Sequence, residues 1–189
     1  MLICCIPAEK VTSMAILPIL CLPDPRLRLV SKPVAALDLT MHRLMDDMLE
    51  TMYEAPGIGL AAIQIGVDAR IVVIDTSKKE GEDKKPMFIL NPELVWAGPD
   101  LRSYEEGCLS IPEIFEEVER PAKVRVRFRD RLGAMQEIEA DGLLATVLQH
   151  EIDHLNGILF IDHISRLKRG RIVKKFVKIA KRDSEPALS

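Results

Sequence analysis

The stretch that most limits what this chain can become is residues 141–157, DGLLATVLQHEIDHLNG. From Leu143 to Leu148 it holds no charged residue and no breaker, so apolar side chains fall on nearly every side of the helix it forms. Such a helix belongs inside a core. Asp141 stands where an N-cap is expected and Gly157 where the helix must close. Yet His150, Glu151, Asp153 and His154 sit on the same helix. Burying them is costly unless they are paired or ligate something.

A chain of 189 residues has the size of one domain, and 48% hydrophobic with 29% charged residues excludes a disordered chain or a fibrous repeat. No apolar run approaches the roughly 18 to 20 residues of a membrane-spanning helix, so a soluble protein is expected. Residues 16–33 are dense in proline and predict extended chain and turns. Asp38 or Thr40 can cap a helix in which Leu44, Met45, Met48, Leu49 and Met52 recur at helical spacing, ending at Pro56 and Gly57. Residues 69–75 and 86–92 read as strands joined by an exposed charged loop. Residues 123–129, KVRVRFR, alternate apolar and basic residues as a half-buried strand does, and pair with residues 135–140 through a turn at Asp130 to Gly133.

Cys4, Cys5, Cys21 and Cys108 make a poor disulfide framework, so reduced thiols and a cytoplasmic setting are expected. The first twelve residues carry no base before Lys10 and do not resemble an export leader, and Met14 directly precedes the first structured segment. Charge is unevenly spread. Residues 166–182 hold nine Lys or Arg and no acid, against 17 bases and 27 acids before them. That segment also carries an apolar stripe, Ile172, Phe176 and Ile179 beside Val173 and Val177, suited to packing on the body. Its charge is that of a solvated face or of a footprint for a polyanion.

His150 and His154 are four residues apart and face the same way, so both rings can bind one metal ion while Glu151 serves as acid or base beside it. A catalytic metal usually takes a third protein ligand. Asp162 is the nearest acid downstream, and Cys108, in EGCLS, competes with it. Gly57 to Gln64, GIGLAAIQ, has neither a phosphate-loop ending nor dinucleotide spacing. Its small residues allow close backbone approach, and Gln64 is an isolated amide, either satisfied in a core turn or aimed at a site.

GIGLAAIQ, EGCLS and QHEIDH, in this order and at these separations, resemble peptide deformylase from about Met14 to Arg182. The resemblance implies an α+β fold in which antiparallel sheets surround a central helix that carries the HExxH motif, plus a C-terminal helix. It implies Cys108, His150 and His154 as ligands of one divalent metal ion, normally Fe(II), with zinc, nickel or cobalt able to take its place. Glu151 would be the general base and acid. Gln64 and the backbone N–H of Leu109 would hold the oxyanion, and the Gly59 backbone would position the formyl group. Ile58, Leu143 and Val147, with His150, match the pocket for the methionine side chain. The implied reaction removes the formyl group from N-formylmethionyl nascent peptides, releasing formate, as metal-bound water attacks the formyl carbon. The basic helix resembles the bacterial subclass in which it docks on the ribosome, on rRNA or protein near the tunnel exit; no membrane partner is implied.

Phe115 stands near a position where better-known members often place a base, and Thr146 where an aliphatic residue is common. The expected layout is a disordered extension over residues 1–13, one catalytic domain over 14–182 ending in the basic helix 166–182, and a flexible tail over 183–189. Two other classes share part of this pattern. A metallopeptidase gives no reason for Cys108 and Gln64, and a binding protein without catalysis would be expected to have lost Glu151, Cys108 or Gln64; all three are present.

Overall fold

The computed structural model describes residues 15–77 and 84–184. The extension expected over residues 1–13 lies outside these, as do the middle of the charged loop and residues 185–189.

Among the described residues, seven strands and three α-helices form an α+β fold. A five-stranded sheet runs in the order β1 (Gly59–Ala61), β2 (Ile71–Ile74), β3 (Met87–Ala97), β6 (Lys123–Arg129), β7 (Met135–Asp141), and every neighbouring pair is antiparallel. Against it lies α2 (Gly142–Leu155), the helix of the His-Glu-x-x-His motif, ten of whose residues are buried. Ala145, Val147, Leu148, Ile152 and Leu155 of α2 meet Val72, Ile74, Ile89, Val124, Val126 and Phe128 of the sheet. The alternation read in KVRVRFR is obeyed: Val124, Val126 and Phe128 face α2, and Arg125 and Arg127 pair with Glu139 and Glu137 outside. Asp130 closes the β6–β7 turn by accepting from the amides of Leu132 and Ala134, each at 2.9 Å.

β2 is apolar at every position because it is covered twice. Val72 and Ile74 meet α2, whereas Ile71 and Val73 meet Met45, Met48 and Met52 of α1 (Leu39–Glu54) on the other face. Asp38, not Thr40, caps α1, its carboxylate accepting from Met41 N at 2.9 Å. Asp141 occupies the cap position of α2 but its side chain makes no capping bond.

The pattern in sequence gave no warning of the second sheet, a hairpin of β4 (Leu101–Cys108) and β5 (Ile111–Pro121). Its β5 strand is rich in glutamate and proline, composition that argues against strand. Pairing with β4, and burial of Val118 and Ile111 against Phe160 and Ile161, override that propensity. In α3 (Arg166–Ser184), Ile172 and Phe176 are buried in the same cluster while Lys174, Lys175 and Lys178 are exposed, so the expected stripe does pack on the body. The helix runs to Ser184, two residues past its expected end.

The N-terminal strap wraps the core as extended chain with one 3-10 turn, Pro25–Arg28. It crosses the end of α2, where Ser31 N donates to Leu155 O at 2.8 Å. Gly157 is required at this crossing: its φ is +72°, and a Cβ there would lie 2.8 Å from the Arg28 carbonyl carbon. We expect Gly157→Ala to cost about 1 to 3 kcal/mol of stability, measured as a lower denaturant midpoint with an unchanged slope.

Candidate active site

The site is assembled from three places distant in sequence. α2 presents His150 and His154 on one face, their ring centroids 4.9 Å apart. Cys108 arrives from the β4–β5 hairpin. The hairpin's register runs regularly from Leu101↔Pro121 to Gly107↔Phe115, then jumps to Cys108↔Ile111. Three residues of β5 are thereby left as a bulge, with Glu113 at φ +62°. Such a bulge re-aims a side chain, and Cys108 Sγ comes to 3.2 Å from His154 Nε2. Leu109 lies in the tight turn between the two strands.

The third contribution comes from β1 and the 3-10 turn Ala62–Ile65. Gln64 is 1% exposed and fully engaged: its Oε1 accepts from Ala61 N at 2.8 Å, and its Nε2 donates to Ser110 Oγ at 3.1 Å. The Ala61 amide fixes the orientation of the side chain, so the Nε2 donor faces Cys108 Sγ, at 3.5 Å. Gly59 passes so close to α2 that a Cβ would overlap the Glu151 carboxylate, 2.9 Å from its Cδ. Any side chain at residue 59 would displace Glu151.

Sγ of Cys108 and one ring nitrogen from each of His150 and His154 lie within 4.8 Å of one another. Metal–sulfur and metal–nitrogen bonds of about 2.3 and 2.1 Å at a tetrahedral ion place such donors roughly 3.6 Å apart, so the cluster has the right size. The protonation pattern agrees. Glu106 Oε2 lies 2.9 Å from His150 Nδ1. A carboxylate only accepts, so Nδ1 carries the hydrogen and Nε2 is left for a metal. Glu106 is held in turn by Arg120, through Nε at 2.5 Å and Nη2 at 3.1 Å, and Arg120 Nη1 reaches Asp153 at 2.8 Å. Three buried side-chain atoms among the described residues have no hydrogen-bond partner, Ser31 Oγ away from the site and Glu151 Oε2 and His154 Nδ1 within it. A soft sulfur, two imidazoles and an unpaired buried carboxylate oxygen suit a divalent cation with a water or substrate beside it.

Burial dominates the electrostatics. It opposes charge on Glu106, but hydrogen bonds from His150 and Arg120 outweigh it and hold that carboxyl below its ordinary range. Burial likewise opposes charge on His150, yet its hydrogen bonds with Cys108 and Glu106 push its pKa well up. His154 is held well below its ordinary value by burial and by the neighbouring His150. Glu151 is pushed up to about 7, chiefly by burial. Without a metal, the cluster therefore keeps a proton on His150 that a bound cation would displace.

These groups open on a cavity of about 530 Å³. Ile58, Gly59, Gln64, Cys108, Leu109, Leu143, Val147, His150 and Glu151 all line it, and His154 is buried behind it. Phe115 and Thr146 line it too. Asp162 does not join the cluster: it accepts from Leu159 N at 2.8 Å and pairs with Arg28 and Arg169. Reading the sequence missed Glu106 and Arg120. The only signal for Arg120 was a lone base at the end of an acidic strand, 14 residues from its partner.

A helix-borne histidine pair with a cysteine beside it and a raised carboxyl facing an apolar cavity are the groups that a metal-dependent hydrolase uses. The comparisons narrow the class. The family model described as polypeptide deformylase matches residues 16–170. The peptide deformylase of Methylocella silvestris is 65% identical over 174 residues, 91% of this chain and 89% of that one. A peptide deformylase structure from Legionella pneumophila aligns with a TM-score of 0.81 at 47% identity, covering 91% of this chain and all of that one, 100%. The Ehrlichia chaffeensis enzyme in complex with actinonin aligns at 0.82 and 39%, with 91% and 100% covered. The chain belongs to the peptide deformylase family. It is a hydrolase of formylmethionyl peptides, in a family that depends on a metal ion.

The raised Glu151 pKa has a measurable sign. An acid that binds its proton more tightly when folded destabilises the fold as pH rises from about 4.5, its ordinary value, through about 7. Metal-free Glu151→Gln should therefore match wild type near pH 4 and exceed it above pH 7 by on the order of 1 to 3 kcal/mol. Unfolding midpoints of the two proteins across that range provide the check.

Proposed function

We propose that Glu151 moves the protons of deformylation and that Gln64 with the Leu109 amide receives the charge that develops on the formyl oxygen. The observation that carries this reading is the unpartnered, buried Oε2 of Glu151 in the same cavity as the oriented Nε2 of Gln64. Cys108, His150 and His154 would hold a divalent ion, natively Fe(II), with zinc, nickel or cobalt as substitutes. When bound, that ion supplies Lewis acidity and makes water nucleophilic near neutral pH.

Glu151 takes a proton from the attacking water and returns it to the leaving nitrogen, so that the C–N bond breaks to formate and a free amine. A carboxyl with a pKa near neutrality is suited to both transfers. The Ala61 amide orients the Gln64 side chain before substrate arrives, so little reorganisation is needed to turn the Nε2 hydrogen that faces Cys108 toward the oxyanion. The Gly59 backbone positions the formyl end, since only a glycine leaves room between β1 and Glu151. Ile58, Leu143 and Val147 form the apolar side of the cavity and take the methionine side chain, at about 0.8 kcal/mol per methylene buried. Leu143, 44% exposed, forms its rim.

The exposed bases of α3 favour docking on ribosomal RNA in the cytoplasm, beside the nascent substrates. The buried stripe of Ile172 and Phe176 leaves the lysines of the opposite face available for phosphate.

Glu151→Gln should lower turnover of a formyl-Met peptide by about 10² to 10⁴ while keeping bound metal; near-normal formate release would overturn its role. Changing Lys174, Lys175 and Lys178 to Glu should abolish low-salt co-sedimentation with ribosomes and leave turnover of a short peptide intact. Unchanged co-sedimentation would make α3 a solvated helix with no polyanion partner.

A further inference from the structure

The hydrogen bonds that orient His150 do not stop at Arg120. Asp153 Oδ2 accepts from Arg120 Nη1 and lies 2.8 Å from His163 Nε2. Since the carboxylate is an acceptor, His163 Nε2 carries the hydrogen. His163 is the outermost member of the chain His163–Asp153–Arg120–Glu106–His150, its side chain 35% exposed against 17% for Asp153 and 6% for Arg120. Glu106 and Asp153 both turn to one guanidinium, so a shift of either carboxylate is passed to the other through Arg120.

His163 also ends the turn Phe160–Asp162, its own N–H donating to Phe160 O at 3.1 Å. The Phe160 ring stacks on the His150 ring, centroids 6.1 Å apart and planes 23° apart. The segment that carries His163 therefore reaches His150 by two routes, through Phe160 and through the ionic chain. Beside the outer end lies a cavity of about 270 Å³ lined by Arg120, Gln149, Asp153 and His163. Without the imidazole, the Asp153 carboxylate has Arg120 as its side-chain partner and open space on its other side.

We infer that His163 is a positioning residue for the metal site: it pins Asp153, and through Arg120 and Glu106 it keeps the His150 ring turned with Nε2 toward the ligand cluster. This rests on Cys108, His150 and His154 being the ligands. A partner bonded directly to a ligand, as Glu106 is to His150, is typically worth about 10- to 100-fold in metal affinity, and His163 acts on that partner through Asp153 and Arg120.

The test uses full-length protein loaded with Co(II), whose visible absorption reports the ligand geometry, in wild type, His163→Phe and His163→Gln. Phenylalanine removes the donor while keeping a ring; glutamine restores an N–H. We expect His163→Phe to lose cobalt to excess EDTA at least about tenfold faster, with a displaced absorption band. His163→Gln should return rate and band most of the way to wild type. The unfolding midpoints of the metal-free proteins should stay together, because His163 is largely a surface residue. Cobalt loss from His163→Phe at the wild-type rate overturns the inference, as does a glutamine variant no better than the phenylalanine one. A wild-type protein that takes up no cobalt overturns the ligand assignment itself, a failure distinct from either of these.

Discussion

Arg120 is the charge on which this architecture rests. Its side chain is 6% exposed, and it answers two carboxylates, Glu106 and Asp153, at the back of the α2 helix. Taking such groups out of water costs several kcal/mol each, and the cost is offset while the guanidinium stays paired with its carboxylates. Removing the guanidinium would leave a buried Glu106 and a half-buried Asp153 without their shared cation. The arrangement also explains why a helix so apolar can carry a polar cluster: His150, Asp153 and His154 turn toward the β4–β5 hairpin, and Ala145, Leu148, Ile152 and Leu155 turn toward the sheet.

Rigidity and reactivity are separated along the same lines. Among the described residues, the sheet, α1 and the apolar face of α2 have matched side chains on both sides of β2 and no buried polar side-chain atom without a partner. The two unpaired buried atoms of the site, in Glu151 and His154, belong to the motif itself. Structure has been spent on holding the neighbours of these groups in place, through Gly59 against Glu151 and Ala61 against Gln64, so that they alone remain available for chemistry.

How legible this was in the sequence depends on the range of the interactions involved. Local patterns were readable: the alternation of KVRVRFR, the methionine stripe of α1, the cap at Asp38 and the buried run of α2 all follow from periods of two or 3.6 residues. His150, Glu151 and His154 were readable for the same reason, because four residues of helix bring the histidines together. The third member of the cluster was not, since residue chemistry alone leaves Cys108 competing with Asp162, and the register jump in β4–β5 that aims Cys108 at the histidines leaves little trace in composition. Glu106, Arg120, Asp153 and His163 are pairs across 10 to 44 residues, invisible to any window along the chain. The deformylase resemblance supplied the ligand set that residue chemistry had left open; it did not supply this network.

The strap at the start of the described chain ties together what the sheets hold apart. Leu20 N donates to Gln64 O at 2.7 Å, Leu22 N to Ser110 O at 3.0 Å, and Ser31 N to Leu155 O at 2.8 Å. Each acceptor belongs to a different contributor to the site: the glutamine turn, the cysteine hairpin and the histidine helix. Mechanically, the strap is a drawstring. A pull on the N-terminal end would reach those three carbonyls before it strained a single rung of the five-stranded sheet, so the active site would come undone while the core was still folded.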